Sequence, residues 1–91
     1  MSKQIVKLFK ALSDETRVDI VRHLLGNGNG KELSCQELLH KFPLSQPTLS
    51  HHFNKLIDAN ILKVRKEGTS HFYSIDSDYL ENLGIDIHKL L

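Results

Sequence analysis

Leu44-Ser-Gln-Pro-Thr-Leu-Ser-His-His-Phe-Asn-Lys-Leu56 is the stretch on which the fold turns. Ser45 is a good helix N-cap and Pro47 is tolerated in a first turn, so the stretch predicts a helix opening at Ser45. Leu49, Phe53, Leu56, Ile57 and Asn60 fall along one side of it. At 100° per residue Thr48, His51, Asn54 and Lys55 fall on the opposite side, which is therefore polar and hydrogen-bonding. Immediately upstream, Ser34 with Glu37 three residues on forms a capping box opening a helix over Leu38, Leu39 and Phe42, which Pro43 closes. Two helices joined by a short turn, the second entering on polar residues, make a helix-turn-helix.

Outward from this core the chain continues in short elements. Ile5, Leu8, Phe9 and Leu12 recur at helical spacing, giving an amphipathic helix over Gln4 to Leu12. Ser13 is the expected cap of the next helix. Asp14 and Glu15 would lie in its first turn, and Val18, Val21, Leu24 and Leu25 form its apolar stripe. Gly-Asn-Gly-Asn-Gly (26–30) reads as a spacer: no strand precedes it and no Gly-Lys-Ser/Thr closes it, so the phosphate-cradle pattern is incomplete. After the helix-turn-helix, Leu62, Val64 and then His71 to Ile75 read as two strands around Lys66-Glu67-Gly68-Thr69. Asp76 or Ser77 then caps one terminal helix bearing Tyr79, Leu80, Leu83, Ile87, Leu90 and Leu91, more apolar surface than one core needs. The expected order is α-α-α-α-β-β-α, mainly helical with a β-hairpin: a winged helix-turn-helix.

Ninety-one residues, 40% apolar and 25% charged, predict a single soluble domain spanning 1–91. No apolar run reaches the roughly 18 residues of a membrane span, and the first residues lack a signal peptide's apolar stretch, so no membrane partner and a cytoplasmic location are expected. A lone cysteine supplies neither a disulfide nor a Cys-rich zinc site. The net charge of +1 hides an uneven distribution: residues 41–75 carry +3, residues 76–91 carry −3. A locally basic face suits phosphate.

Phe9-Lys-Ala-Leu-Ser-Asp-Glu-Thr-Arg-Val-Asp-Ile-Val-Arg-His-Leu-Leu25 and Leu44 to Leu56 resemble signatures of the ArsR-type (arsenic-repressor-like) family of bacterial transcriptional regulators, and Arg65-Lys-Glu-Gly-Thr-Ser-His-Phe-Tyr-Ser-Ile75 resembles its wing. The resemblance implies a homodimer, paired through its first and last helices, that represses transcription by occupying operator DNA. The corresponding dimer residues would be Ile5, Leu8, Tyr79, Leu83, Ile87 and Leu90. It carries Ser45, Gln46, Thr48, Ser50 and His51 onto base and phosphate contacts, joining Lys55 on the outward face. Lys41, Arg65 and Lys66, with Thr69 in the wing, are the expected backbone contacts, and Arg65 has bracing of the hairpin as its second reading. His52 lies nearer the buried side and reads as a boundary packing residue. Phe42-Pro43, Phe53, the long glycine spacer and Gly84, a weak residue for a terminal helix, depart from the family's pattern.

Many members of that family sense metal, and two familiar sites can be tested here. The Cys-x-Cys position after Glu32-Leu33 holds Ser34, Cys35 and Gln36, with the thiol between the ligand positions. Asp86-x-His88 mimics a second site, but counting from Tyr73-Ser74-Ile75 the matching positions are Ser77 and Tyr79. No metal and no cofactor are therefore expected, with an unfamiliar site using His88 as the alternative. Cys35 at a helix start has a lowered pKa and a redox role as its sharper reading, and packing as its plainer one. Cys35 and His40 lie about 140° apart around a helix, so they form no thiol and base pair, and the chain is not expected to be an enzyme. A winged helix serving as a protein-interaction adaptor is the reading from another class.

Overall fold

Capping chemistry sets most element boundaries in the computed structural model, which describes residues 2–26 and 32–91. Residues 27–30 of the glycine spacer lie outside the described residues. α1 (Lys3–Ala11) starts at Ser2, whose hydroxyl accepts from the Ile5 amide. α2 (Glu15–Leu25) starts at Asp14 and not at Ser13: the Asp14 carboxylate accepts the Arg17 amide at 3.0 Å. The Ser13 hydroxyl instead donates to the Lys10 carbonyl at 2.6 Å, so it serves the end of α1. β1 (Leu33–Ser34) precedes α3 (Cys35–Lys41), which opens on the expected capping box, the Glu37 amide donating to the Ser34 hydroxyl at 3.1 Å and the Ser34 amide to the Glu37 carboxylate at 3.4 Å.

Phe42, Pro43 and Leu44 make the turn into α4 (Gln46–Asp58), which Ser45 caps through the Thr48 amide, with Pro47 in the first turn. Leu49, Phe53 and Leu56 are buried along its inner side. Asn60, expected along that same side, lies beyond the helix with φ 59°. Its amide bonds to the Ile57 carbonyl at 2.9 Å and that of Ile61 to the Leu56 carbonyl at 3.0 Å, the paired bonds of a left-handed helix stop. The chain is thereby turned directly into the sheet.

β2 (Leu62–Glu67) and β3 (Ser70–Ile75) form the expected hairpin, with a tighter turn than the sequence suggested: Glu67 pairs with Ser70, leaving Gly68 (φ 60°) and Thr69 as the reversal. β1 adds a third strand, Leu33 opposite Tyr73 and Ser34 opposite Phe72, so the sheet order is β1-β3-β2. The expected single terminal helix is two short ones, α5 (Ser77–Asn82) and α6 (Ile87–Leu90). Gly84 takes φ 76°, its amide bonding the Glu81 carbonyl and that of Ile85 the Leu80 carbonyl, both at 2.9 Å. This is the same stop that ends α4.

One core joins all the layers. Leu8 of α1, Ile20 and Leu24 of α2, Leu38 of α3, Leu56 of α4 and Ile61 are essentially inaccessible. Full burial of each such side chain contributes about 1.5–3 kcal/mol. Phe53 stacks on Tyr73 of β3 with ring centroids 4.1 Å apart, tying α4 to the hairpin. No described helix is long and apolar enough to cross a membrane.

Candidate nucleic-acid interface

With Leu49, Phe53 and Leu56 turned inward, α4 presents Gln46, Thr48, His51, Asn54 and Lys55 as exposed side chains, and Ser50 at the boundary. The sequence placed Thr48, His51, Asn54 and Lys55 there from periodicity alone. Ser45 and Thr48 also bond to each other, hydroxyl to hydroxyl at 2.9 Å, so part of their capacity is spent on closing the helix start.

Arg17 of α2 reaches from the end of α1 to His52 of α4. Its Nε donates to the Ala11 carbonyl at 2.6 Å, and its Nη1 lies 3.3 Å from His52 Nδ1. His52 Nδ1 also lies 4.0 Å from Asp14, and the side chain is 13% exposed, as expected of a boundary residue. The Asp14 carboxyl is held below its ordinary pKa, chiefly by the Arg17 backbone amide.

In the hairpin, Arg65 makes the contacts of its second reading. Its Nε reaches both Glu32 oxygens at 3.0 Å, its Nη1 reaches Glu67 at 2.6 Å, and the guanidinium lies 4.6 Å from the centroid of the Phe72 ring. Two carboxylates and a ring occupy the group expected to hold phosphate, and bracing, the second reading, describes what it does in the folded chain. Glu32 is correspondingly held below its ordinary pKa by the Arg65 hydrogen bond. Lys66 and Thr69 of the hairpin, and Lys41 at the end of α3, are exposed. Among the described residues no ion pair engages either lysine.

Gln46 and Ser50 of α4 face Thr69, Ser70 and His71 of the hairpin across a cleft of about 420 Å³, with Cys35 and Tyr73 also in its lining. Burial pushes the Cys35 thiol up, against the lowered pKa that its place at a helix start had suggested. Among the described residues no three His, Cys, Asp or Glu side chains gather closely enough to hold a metal ion. The Asp86 carboxylate of the Asp86-x-His88 pair is used as a cap, accepting from the His88 and Lys89 amides at 3.1 and 3.3 Å.

Of the six residues assigned to pairing, Leu8 and Ile87 are 0% and 5% exposed and are buried in the core of their own chain. Ile5, Tyr79 and Leu83 are half-buried, and Leu90 is exposed. Beside Ile5 and Leu8 on the same helix, Val6 is 38% and Phe9 50% exposed. Ile5, Val6, Leu8, Phe9 and Leu12 together cover more of one helix than a single core contact takes.

The Helix-turn-helix domain family matches residues 12–65, from the end of α1 into β2. The arsenical resistance operon repressor of Staphylococcus xylosus is 39% identical over 87 residues, covering 93% of this chain and 80% of that protein. The structure of HlyU from Vibrio cholerae N16961 superposes with a TM-score of 0.71 at 34% identity, over 91% of this chain and 94% of that one. A solution structure from Mycobacterium bovis, described as the homodimeric winged helix-turn-helix DNA-binding domain of a possible ArsR-family regulator, shares the fold with a TM-score of 0.74 at 22% identity, over 88% and 70% of the two chains.

Proposed function

The chain belongs to the ArsR-type family of winged helix-turn-helix transcriptional regulators, which bind DNA, and from that premise we propose that it is a cytoplasmic homodimer that represses transcription from a pseudo-palindromic operator. The observation that carries this reading is the exposed polar face of α4. Gln46, Thr48 and His51 offer hydrogen-bonding groups of the kind that read base edges in a major groove, while Lys41, Lys55 and Lys66 supply phosphate contacts. Ser45 and Ser50 border that face, and Thr69 reaches it from the wing. Two-fold pairing sets half-sites about 34–36 Å apart. Pairing through the exposed Val6 and Phe9 of α1 with Leu90 of α6 would bury apolar surface that a small domain otherwise leaves wet. The Staphylococcus xylosus relative, named as a repressor, supports the direction of control.

Operator binding is assigned to the protein without added metal. Selection of bound duplexes from a random pool, with no metal present and at near-physiological salt, tests the reading. An enriched palindrome is expected. Retention without enrichment, vanishing as salt rises, would leave only phosphate attraction and favour the protein-interaction adaptor.

A further inference from the structure

Helix α1 carries a third face besides its buried and exposed apolar ones. Lys3, Lys7 and Lys10 fall within an arc of about 60° at helical spacing, about 100° from Phe9 at its nearer edge and bordered there by Val6. Lys7 and Lys10 line a cleft of about 250 Å³ between α1 and α4 together with Arg17, Lys55 and Asp58, over a floor of Ala11 and Ala59. Four cations thus face one carboxylate. Among the described residues no ion pair engages Lys7, Lys10 or Lys55, whereas Arg17 is held by the Ala11 carbonyl and His52. Lys55 belongs both to this cleft and to the outward face of α4, so the basic strip continues from the groove-reading surface onto α1. On the other flank of α4 the wing's Arg65 is compensated by Glu32 and Glu67.

We propose that the α1–α4 cleft is a second phosphate-holding surface, and that the backbone of the duplex read by α4 runs onto Lys7 and Lys10 through Lys55. The proposal rests on the DNA-binding reading and extends it to a helix otherwise assigned to pairing. Lysine suits this role: a mobile point charge holds phosphate without demanding a base sequence. The main electrostatic anchor then lies on the helical side of the domain, and the wing contributes less than its sequence charge implies.

The test is binding of a mixed-sequence duplex, labelled with fluorescein, between about 50 and 200 mM salt. It compares the wild-type chain, the Lys7→Ala/Lys10→Ala double variant, and Lys89→Ala, which removes one charge from α6. Each lost phosphate contact makes the slope of log K against log salt shallower by about 0.9, so the double variant should lose about 2 per bound protomer and Lys89→Ala should keep the wild-type slope. A double variant indistinguishable from Lys89→Ala, with the wild type still binding, overturns the proposal and leaves the DNA reading standing. A slope loss accompanied by a lower sedimentation mass overturns it too, because the lysines would then act through assembly. A wild-type chain that retains no duplex at any salt removes the DNA reading, and this proposal with it.

Discussion

Helix α4 and the wing flank the same cleft, yet they hold their polar groups in opposite ways. On α4, Gln46, His51 and Lys55 point outward from a helix whose register is fixed by buried Leu49, Phe53 and Leu56. On the wing, Arg65 is locked between Glu32, Glu67 and the Phe72 ring. A side chain held by its own fold shapes a surface; one left with water can exchange that water for a ligand. Charge counted along a sequence is therefore an upper bound on charge available to a partner.

The most severe way to break this contrast is to cut the joint between the two regions. Phe53→Ala removes a ring that is 1% exposed and stacked on Tyr73, and should cost about 3–5 kcal/mol, a large part of a small domain's stability. Urea unfolding measures it, and a loss below about 1 kcal/mol would mean that helix and wing are held together elsewhere. Gln46→Ala sharpens the contrast from the side of α4. Operator affinity should fall by about 1–3 kcal/mol with mixed-sequence binding nearly unchanged; equal losses on both duplexes would deny the base-reading role.

Ser45→Ala separates building the helix from reading DNA. It should lower stability by about 1 kcal/mol through the lost cap, while Ser45→Gly costs only a few tenths. Equal stability of the two variants would show that the capping bond contributes little. The smallest effects belong to the wing. Lys66→Ala should make the salt slope shallower by about 1 per bound protomer, and Arg65→Ala by less than half as much. Arg65→Ala should instead change acid behaviour. Glu32 is depressed by its Arg65 hydrogen bond, so the pair stabilises fully above the ordinary carboxylate pKa and its contribution is lost as pH falls toward the lower folded value. The variant should therefore show a flatter acid limb in stability against pH, and a limb as steep as wild type would deny the bond its role.

Features set by neighbours in sequence were legible before the fold was seen. The Ser34 and Glu37 box, the Ser45 cap and the polar face of α4 each depend on residues within about two turns of one another. What was missed depends on distance. β1 is two residues whose partners, Phe72 and Tyr73, lie far along the chain. Glu32 sits 33 residues before the Arg65 it neutralises. Ser13 and Asp14 are both good caps, and only the folded chain shows Asp14 accepting the Arg17 amide while Ser13 turns back to the Lys10 carbonyl. Apolar periodicity runs on through Gly84, so it concealed a break that backbone conformation makes plain. Among the residues expected to pair, Leu8 and Ile87 proved to be core for a similar reason: a stripe shows which side is apolar, not whether its own core has already covered it.

The two-residue strand β1 also sets a clock. β3 is paired with β2 along its length but with β1 only at Phe72 and Tyr73, so its middle is gripped from both sides while Ser70 and His71 are gripped from one. Fraying therefore starts at the Gly68-Thr69 tip and halts at Phe72, and amide hydrogens of the outer wing should exchange with solvent long before those of the inner wing. The hairpin root, paired on both sides, is the part tied to α4 through the Phe53 and Tyr73 stack.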